Sequence, residues 1–154
     1  MQRTKDYSLY LPTEDDVFEI VAISREAFAE DFIDKECYTF SSKRLLEIIL
    51  HSVTDKNRYT VCLKDGDEIV GYFFGALIPC YFAAENQAIC VSWFIRPEHR
   101  SVKNAFRLLK GFEKWGKEKG ASVTNMTSVK HAHNAVYERL GYELTETTFT
   151  KRNA

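Results

Sequence analysis

The spacing of apolar and polar residues divides the chain into alternating strand-like and helix-like segments. Residues 7–11 alternate and then meet Pro12, which indicates a first strand that ends at a turn. Two stripes of helical period follow, one from Val17 to Phe28 and one from Leu45 to Val53. Residues 31–40, which lie between the two stripes, show no clear period. The first third of the chain therefore predicts one strand and two helices.

The clearest strand patterns lie in the middle of the chain. Residues 59–63 and 68–74 are rich in β-branched and aromatic side chains and flank a Lys-Asp-Gly-Asp turn, as in a β-hairpin. Residues 88–95 form a continuous apolar run, which is typical of a central strand covered on both faces. The apolar face of residues 103–119 then predicts a long amphipathic helix, and Gly120 stops it.

Shorter elements are predicted to close the chain. Residues 122–129 resemble a strand, residues 133–140 a short helix, and residues 142–144 and 147–151 a last pair of short strands. The predicted fold class is α/β, with a mixed central sheet of six to seven strands flanked by about four helices. Since no linker or repeat interrupts this order, residues 1–154 are predicted to form a single domain.

Composition narrows the class of protein without assigning a function. The chain is 45% hydrophobic and 28% charged with a formal net charge of −1, which is the balance of a soluble globular protein and argues against nucleic-acid binding by bulk charge. The apolar stretch at residues 69–84 is broken by two glycines and Pro79, so it predicts a buried strand and no membrane span. The N-terminus lacks the apolar stretch of a signal peptide, so a cytoplasmic protein is expected. Four cysteines lack zinc-ligand spacing, so no metal is expected.

Candidate chemistry lies where the apolar run at 88–95 joins the long helix. Backbone N–H groups at a helix start are unpaired, and the helix dipole attracts phosphate to them. Arg100 and Lys103 add positive charge at the same end. From spacing alone, an ordinary strand-to-helix turn with two solvated cations fits equally.

Taken with the element order, this segment resembles the acetyl-CoA motif of the GCN5-related N-acetyltransferase (GNAT) superfamily. That motif has a strand ending V-x-P, then Arg or Gln, two residues, Gly, one residue, and Gly or Ala. Residues 95–97 stand for the strand end, Arg100 for the Arg or Gln, Lys103 for the first Gly and Ala105 for the Gly or Ala. Residues 137–142, Tyr-Glu-Arg-Leu-Gly-Tyr, look like the family's Y-E-K-x-G-F signature. The resemblance covers essentially the whole chain and implies the GNAT fold.

The resemblance implies an N-acyltransferase that moves an acetyl group from acetyl-CoA to an amine by direct attack in a ternary complex. Tyr137 would be the general acid that protonates the leaving thiolate. A backbone N–H near Phe94 or Ile95 would polarise the thioester carbonyl. The implied cofactor-binding residues are Phe94, Ile95, Arg100, Ser101, Val102, Lys103, Asn104, Ala105 and Tyr137. Lys103 departs from the motif, because glycine there lets the backbone approach the pyrophosphate.

A general base is harder to identify from the sequence. The predicted fourth strand carries no carboxylate, so the candidates for a base are Glu85, Glu30 and Asp31, and those for a water relay are Ser92 and Ser128. His131 and His133 adjoin the last helix, but lone histidines of this kind are more often surface or capping residues.

The implied partner is an amine acceptor, either a small molecule or a protein. Residues 31–40 and 78–87, which are irregular and aromatic, are predicted to border its site. The resemblance also implies a homodimer formed through the last strands. Two alternatives stay open: a catalytically inactive binding or structural protein of the same fold, and a nucleic-acid-associated modifier that uses the basic residues of the long helix.

Overall fold

The computed structural model describes residues 3–153; residues 1, 2 and 154, which the single-domain prediction includes, lie outside the described residues. The described chain forms five strands and four helices, with short 3-10 turns between them. The elements are β1 Tyr7–Tyr10, α1 Val17–Asp31, α2 Ser42–Ser52, β2 Arg58–Asp65, β3 Glu68–Pro79, β4 Asn86–Ile95, α3 Val102–Glu118, β5 Val123–Asn125 and α4 Asn134–Arg139. Across these residues, no helix has both the length and the apolar character needed to cross a bilayer.

The strands form one mixed sheet in the order β1-β2-β3-β4-β5. The first four strands pair antiparallel, and β5 runs parallel to β4. The predicted hairpin is confirmed, with Gly66 at the β2–β3 turn in a left-handed conformation (φ 61°) that glycine adopts without strain. On β3, Phe74 pairs with Ser92 of β4 and Gly75 pairs with Cys90. Val91, which lies between these two residues of β4, has no partner on β3 and forms a β-bulge.

The prediction of six to seven strands is wrong: the described chain has five, and neither residues 142–144 nor 147–151 form a strand. The apolar side chains of this segment do not pack on the core, since Leu144 and Phe149 are 74% and 92% exposed. A local pattern of this kind forms a strand only where a partner strand supplies the ladder. The strand predicted at 122–129 is likewise reduced to Val123–Asn125.

The sheet has a separate apolar core on each face. Successive strand residues point to opposite faces, so Tyr72 packs towards α1 and α2 while Phe73 packs towards α3. The two helical stripes predicted in the first half of the chain cover one face, and the apolar face of α3 covers the other. Ile20, Ile23 and Leu108 are fully buried. The patterns that predicted the helices are thus the patterns that bury them.

Gly75 is predicted to be essential to the packing of α3 on β3. A Cβ at this position would overlap the Phe112 ring and lie 2.9 Å from its Cζ, and that ring is fully buried. We expect Gly75→Ala to lower the free energy of unfolding by about 1–3 kcal/mol, because a packed core cannot yield the extra volume. The measurement is a urea unfolding midpoint. The double variant Gly75→Ala/Phe112→Leu should recover part of the loss, and strictly additive losses would contradict this packing account.

Candidate functional site

On the side that faces β5, the C-terminal half of β4 has no partner strand, and we call this side of β4 the cleft. β5 pairs with β4 only through Gln87–Val123, Ala88–Thr124 and Ile89–Asn125. β5 ends there, while β4 continues to Ile95. The prediction that β4 is covered along its length therefore fails at its middle, where Val91 is 55% exposed. In sheets with parallel strands, ligands bind in crevices outside the carboxyl ends of the strands.

Backbone groups of β4 face into this cleft. The Arg96 N–H donates to the Val70 carbonyl at 2.9 Å, so it points towards β3. Because an antiparallel ladder alternates, the Ile95 N–H points away from β3 and the Phe94 N–H points towards it. The Ile95 carbonyl accepts a hydrogen bond from Arg100 Nε at 2.8 Å on the same open side. The Ile95 N–H therefore points to the open side of β4, where a ligand can accept its hydrogen bond. The Phe94 N–H faces β3, and the Phe94 ring is buried on the α1 and α2 face.

The start of α3 adjoins the end of β4 and offers further donors. Ser101 Oγ accepts the Asn104 N–H at 3.0 Å, as an N-cap. The Asn104 side chain is buried and donates to the His99 carbonyl at 2.8 Å, and Ala105 is also buried. The N–H groups of Val102 and Lys103 lie in the first turn of α3, where backbone N–H groups have no acceptor within the helix. The Lys103 side chain, which stands in place of the motif's glycine, is exposed.

An ion pair joins the start of α3 to the end of α1. Arg100 Nη2 lies 2.6 Å from Glu30 Oε1, and the guanidinium lies 5.2 Å from the centroid of the Phe94 ring. Both partners are partly exposed, at 42% and 37% of their side chains. The Glu30 carboxylate is therefore committed to Arg100, and the guanidinium is held at the edge of the cleft.

The Tyr137 hydroxyl lies behind β4 in a pair of hydrogen bonds. It accepts from Trp93 Nε1 at 2.9 Å and donates to the Thr127 carbonyl at 2.8 Å. Burial raises the pKa of Tyr137 above its ordinary range, and the Trp93 hydrogen bond opposes that rise. The phenol is therefore protonated at neutral pH, with a donor already placed to stabilise its anion.

The remaining candidates lie on different sides of β4. Ser92 Oγ is 3.0 Å from the Tyr72 hydroxyl on the α1 and α2 face, and burial raises the pKa of Tyr72 to about 12. Ser128 Oγ accepts the backbone N–H of His133 at 2.9 Å, ahead of α4. Burial also raises the pKa of the Cys90 thiol to about 12, so it is not a thiolate at neutral pH.

His133, which the sequence analysis named but treated as a surface or capping residue, lies beside Trp93 and Tyr137. Its ring lies 4.6 Å from the Trp93 ring and 6.0 Å from the Tyr137 ring, measured between centroids. Burial lowers the pKa of His133; the Asp31 carboxylate raises it and Arg100 lowers it further. The available sequence signal was its spacing, because a residue four positions before Tyr137 shares the same helix face.

The two segments predicted to border an acceptor lie at different places. Residues 31–40 follow α1 and carry a cluster of aromatic rings, with neighbouring centroids 4.8–5.6 Å apart. The rings are those of Phe28, Phe32, Tyr38 and Phe40. Residues 78–87 join β3 to β4 at the end of β4 opposite to Ile95, and Tyr81 and Phe82 there are more than 90% exposed. Only the first segment adjoins Glu30 and the cleft.

The family model described as the Acetyltransferase (GNAT) family matches residues 19–142. No curated protein matches the sequence.

Several solved structures share the fold over nearly the whole chain. The aminoglycoside N-acetyltransferase AAC(6')-Iy in complex with CoA is 14% identical with a TM-score of 0.80, covering 99% of this chain and 98% of that chain. A predicted acetyltransferase with acetyl-CoA from Clostridium acetobutylicum is 15% identical with a TM-score of 0.77, covering 97% and 96%. A transcriptional regulator from Bacillus halodurans C-125 is 18% identical with a TM-score of 0.77, covering 96% and 100%. At these identities the likeness is one of fold.

Two tyrosines of the same core give a matched test of the Tyr137 hydrogen bonds. Tyr137→Phe leaves Trp93 Nε1 and the Thr127 carbonyl without their partner, so we expect a loss of about 1–2 kcal/mol in the free energy of unfolding. The Tyr142 hydroxyl is buried with no partner at hydrogen-bonding distance among the described residues; burial raises its pKa, and the nearby Glu113 carboxylate raises it further. Tyr142→Phe should therefore be neutral or stabilising. Equal losses for the two variants in urea unfolding would contradict the hydrogen-bond assignment.

Proposed function

The chain belongs to the GNAT acetyltransferase family, and from that premise we propose that it transfers an acetyl group from acetyl-CoA to an amine acceptor by direct attack in a ternary complex. One observation carries the proposal: the unpaired edge of β4 lies beside both the α3 start and the Tyr137 hydroxyl. A pantetheine chain lying along that edge would have its pyrophosphate at the helix start and its thioester near Tyr137.

The pyrophosphate would lie against the first turn of α3. The N–H groups of Val102 and Lys103 and the positive end of the helix dipole favour an anion there. Arg100 would exchange Glu30 for a phosphate, because a partly exposed ion pair is weak and a phosphate offers charge-assisted hydrogen bonds. Ser101 and Asn104 shape this turn through the N-cap, and buried Ala105 anchors it to the core. Two of the structural neighbours were solved with CoA or acetyl-CoA, which supports this cofactor.

The acetyl group would react at the end of β4. The amine nitrogen attacks the thioester carbonyl carbon, and the Ile95 N–H donates to the oxygen on which negative charge develops. The C–N bond forms, the C–S bond breaks, and the Tyr137 hydroxyl turns from the Thr127 carbonyl to protonate the leaving thiolate. Trp93 Nε1 stabilises the phenolate, which recovers a proton from the attacking nitrogen. The acceptor is an amine of a small molecule or a protein.

Two arginines four residues apart test the cofactor site. Arg100 lies at the cleft, whereas Arg96 pairs with Glu26 and Glu68 at 3.0 and 3.4 Å. We expect Arg100→Ala to weaken acetyl-CoA binding about 10-fold or more, because it removes a charge-assisted contact to phosphate. Arg96→Ala should change the affinity less than threefold, and Glu30→Gln should leave it equal or tighter. Isothermal titration calorimetry measures all three affinities against the parent chain.

The same titrations can contradict the proposal. An absence of binding by the parent chain at millimolar acetyl-CoA would remove the proposed function. Equal affinities for Arg100→Ala and the parent chain would remove the assignment of Arg100 to the cofactor, and a stronger effect of Arg96→Ala would move the site elsewhere.

A further inference from the structure

Groups from both faces of the sheet meet at the cleft. α1 covers one face and ends at Asp31, while α4 lies on the opposite face with His133 immediately before it. Asp31 and Arg100 are nevertheless both close enough to His133 to act on its ionisation. The His133 imidazole, which packs on Trp93, therefore feels charges from the α1 side of the sheet as well as from the start of α3.

Three contacts fix the position of His133. Its backbone N–H donates to Ser128 Oγ at 2.9 Å, and its carbonyl accepts the Tyr137 N–H at 3.0 Å in the first turn of α4. Its ring packs on the Trp93 indole, which is itself held by the hydrogen bond from Nε1 to the Tyr137 hydroxyl. A group held in this way can act on a substrate without first being ordered.

The ring nitrogens of His133 remain available. Of the histidines in the described chain, the other three each have a partner at a ring nitrogen. His99 Nδ1 is 3.0 Å from the Tyr7 hydroxyl, His131 Nδ1 is 3.1 Å from Asn134 Nδ2, and His51 Nε2 is 3.7 Å from Asp55 Oδ2. Among the side chains that the structure describes, which exclude that of Lys130, none makes such a contact with His133. A half-buried imidazole with neither nitrogen engaged differs from a capping or structural histidine.

We propose that His133 is the general base of the acetyl transfer, an assignment that rests on the proposed function. The acceptor enters as an ammonium ion, and a ring nitrogen of His133 takes one of its protons. The neutral amine then attacks the thioester carbon, the C–N bond forms and the C–S bond breaks. The nitrogen's second proton replaces the one that Tyr137 gives to the thiolate sulfur, and His133 releases its proton to solvent.

The charges around His133 suit this task. Burial and Arg100 both lower the pKa of the imidazole, so it is neutral and able to accept a proton at pH 7. The opposing carboxylate of Asp31 stabilises the imidazolium that forms. Tyr137 is held neutral by its raised pKa and so is a proton donor and not a base. Ser128 becomes a positioning residue, because it holds the backbone of His133.

The test measures thiol release from acetyl-CoA between pH 5 and 9, with water alone and with 2-phenylethylamine as acceptor. For the parent chain, the rate with water should rise with pH through an ionisation below the ordinary histidine value of about 6.5 and then level off. In His133→Gln the rate should no longer rise with pH through this ionisation, and at pH 7 it should be about 100-fold lower than in the parent chain. Its acetyl-CoA affinity, measured by calorimetry, should stay within about threefold of the parent, since the imidazole is assigned to the acceptor.

His51→Gln is the matched control, because it removes an exposed imidazole from α2 and should leave the pH profile unchanged. If His133→Gln does not fold, His133→Asn is measured in its place. A variant that keeps the parent's pH limb and a rate within threefold overturns the assignment, as does acetyl-CoA binding without thiol release in any condition. Failure of the parent chain to bind acetyl-CoA overturns the proposed function itself.

Discussion

β4 runs for ten residues, but its parallel neighbour β5 follows it for only three. The early end of β5 leaves the C-terminal half of β4 with an unpaired edge, and the Ile95 N–H points outward along that edge. Had residues 126–131 continued the ladder at the same register, they would have run beside β4 as far as Ile95, and the Ile95 N–H would face a strand. The short pairing thus leaves backbone donors of the sheet free for a ligand, where a complete sheet would use them internally.

The side chains around this opening have environments that separate their protonation states. His133 immediately precedes α4 and lies four residues before Tyr137; its ring packs on the Trp93 indole, whose Nε1 donates to the Tyr137 hydroxyl. Burial makes the imidazole neutral and keeps the phenol protonated, so one residue can accept a proton where the other can give one. Without cofactor, Glu30 and Arg100 pair with each other at the edge of the cleft.

The sequence predicted what local period and turn chemistry determine. The β2–β3 hairpin and α3 follow from alternation, Gly66 and one apolar helix face, and the structure confirms them. Arg100 and Tyr137 were reached through motif resemblance. The two last strands were predicted wrongly, because alternation at residues 142–151 does not specify a partner strand. His133 was treated as a surface or capping residue, and the pairing of Glu30 was not predicted, for a related reason: Trp93 lies 40 positions before His133, and Arg100 lies 70 positions after Glu30.

A crystal structure of the chain with acetyl-CoA tests the central claim most directly. The account predicts the thioester oxygen within hydrogen-bonding distance of the Ile95 N–H, the pyrophosphate on the N–H groups of Val102 and Lys103, and Arg100 turned from Glu30 to a phosphate. Acetyl-CoA bound elsewhere, or a cleft that stays closed by the Arg100–Glu30 pair at saturating acetyl-CoA, would contradict it.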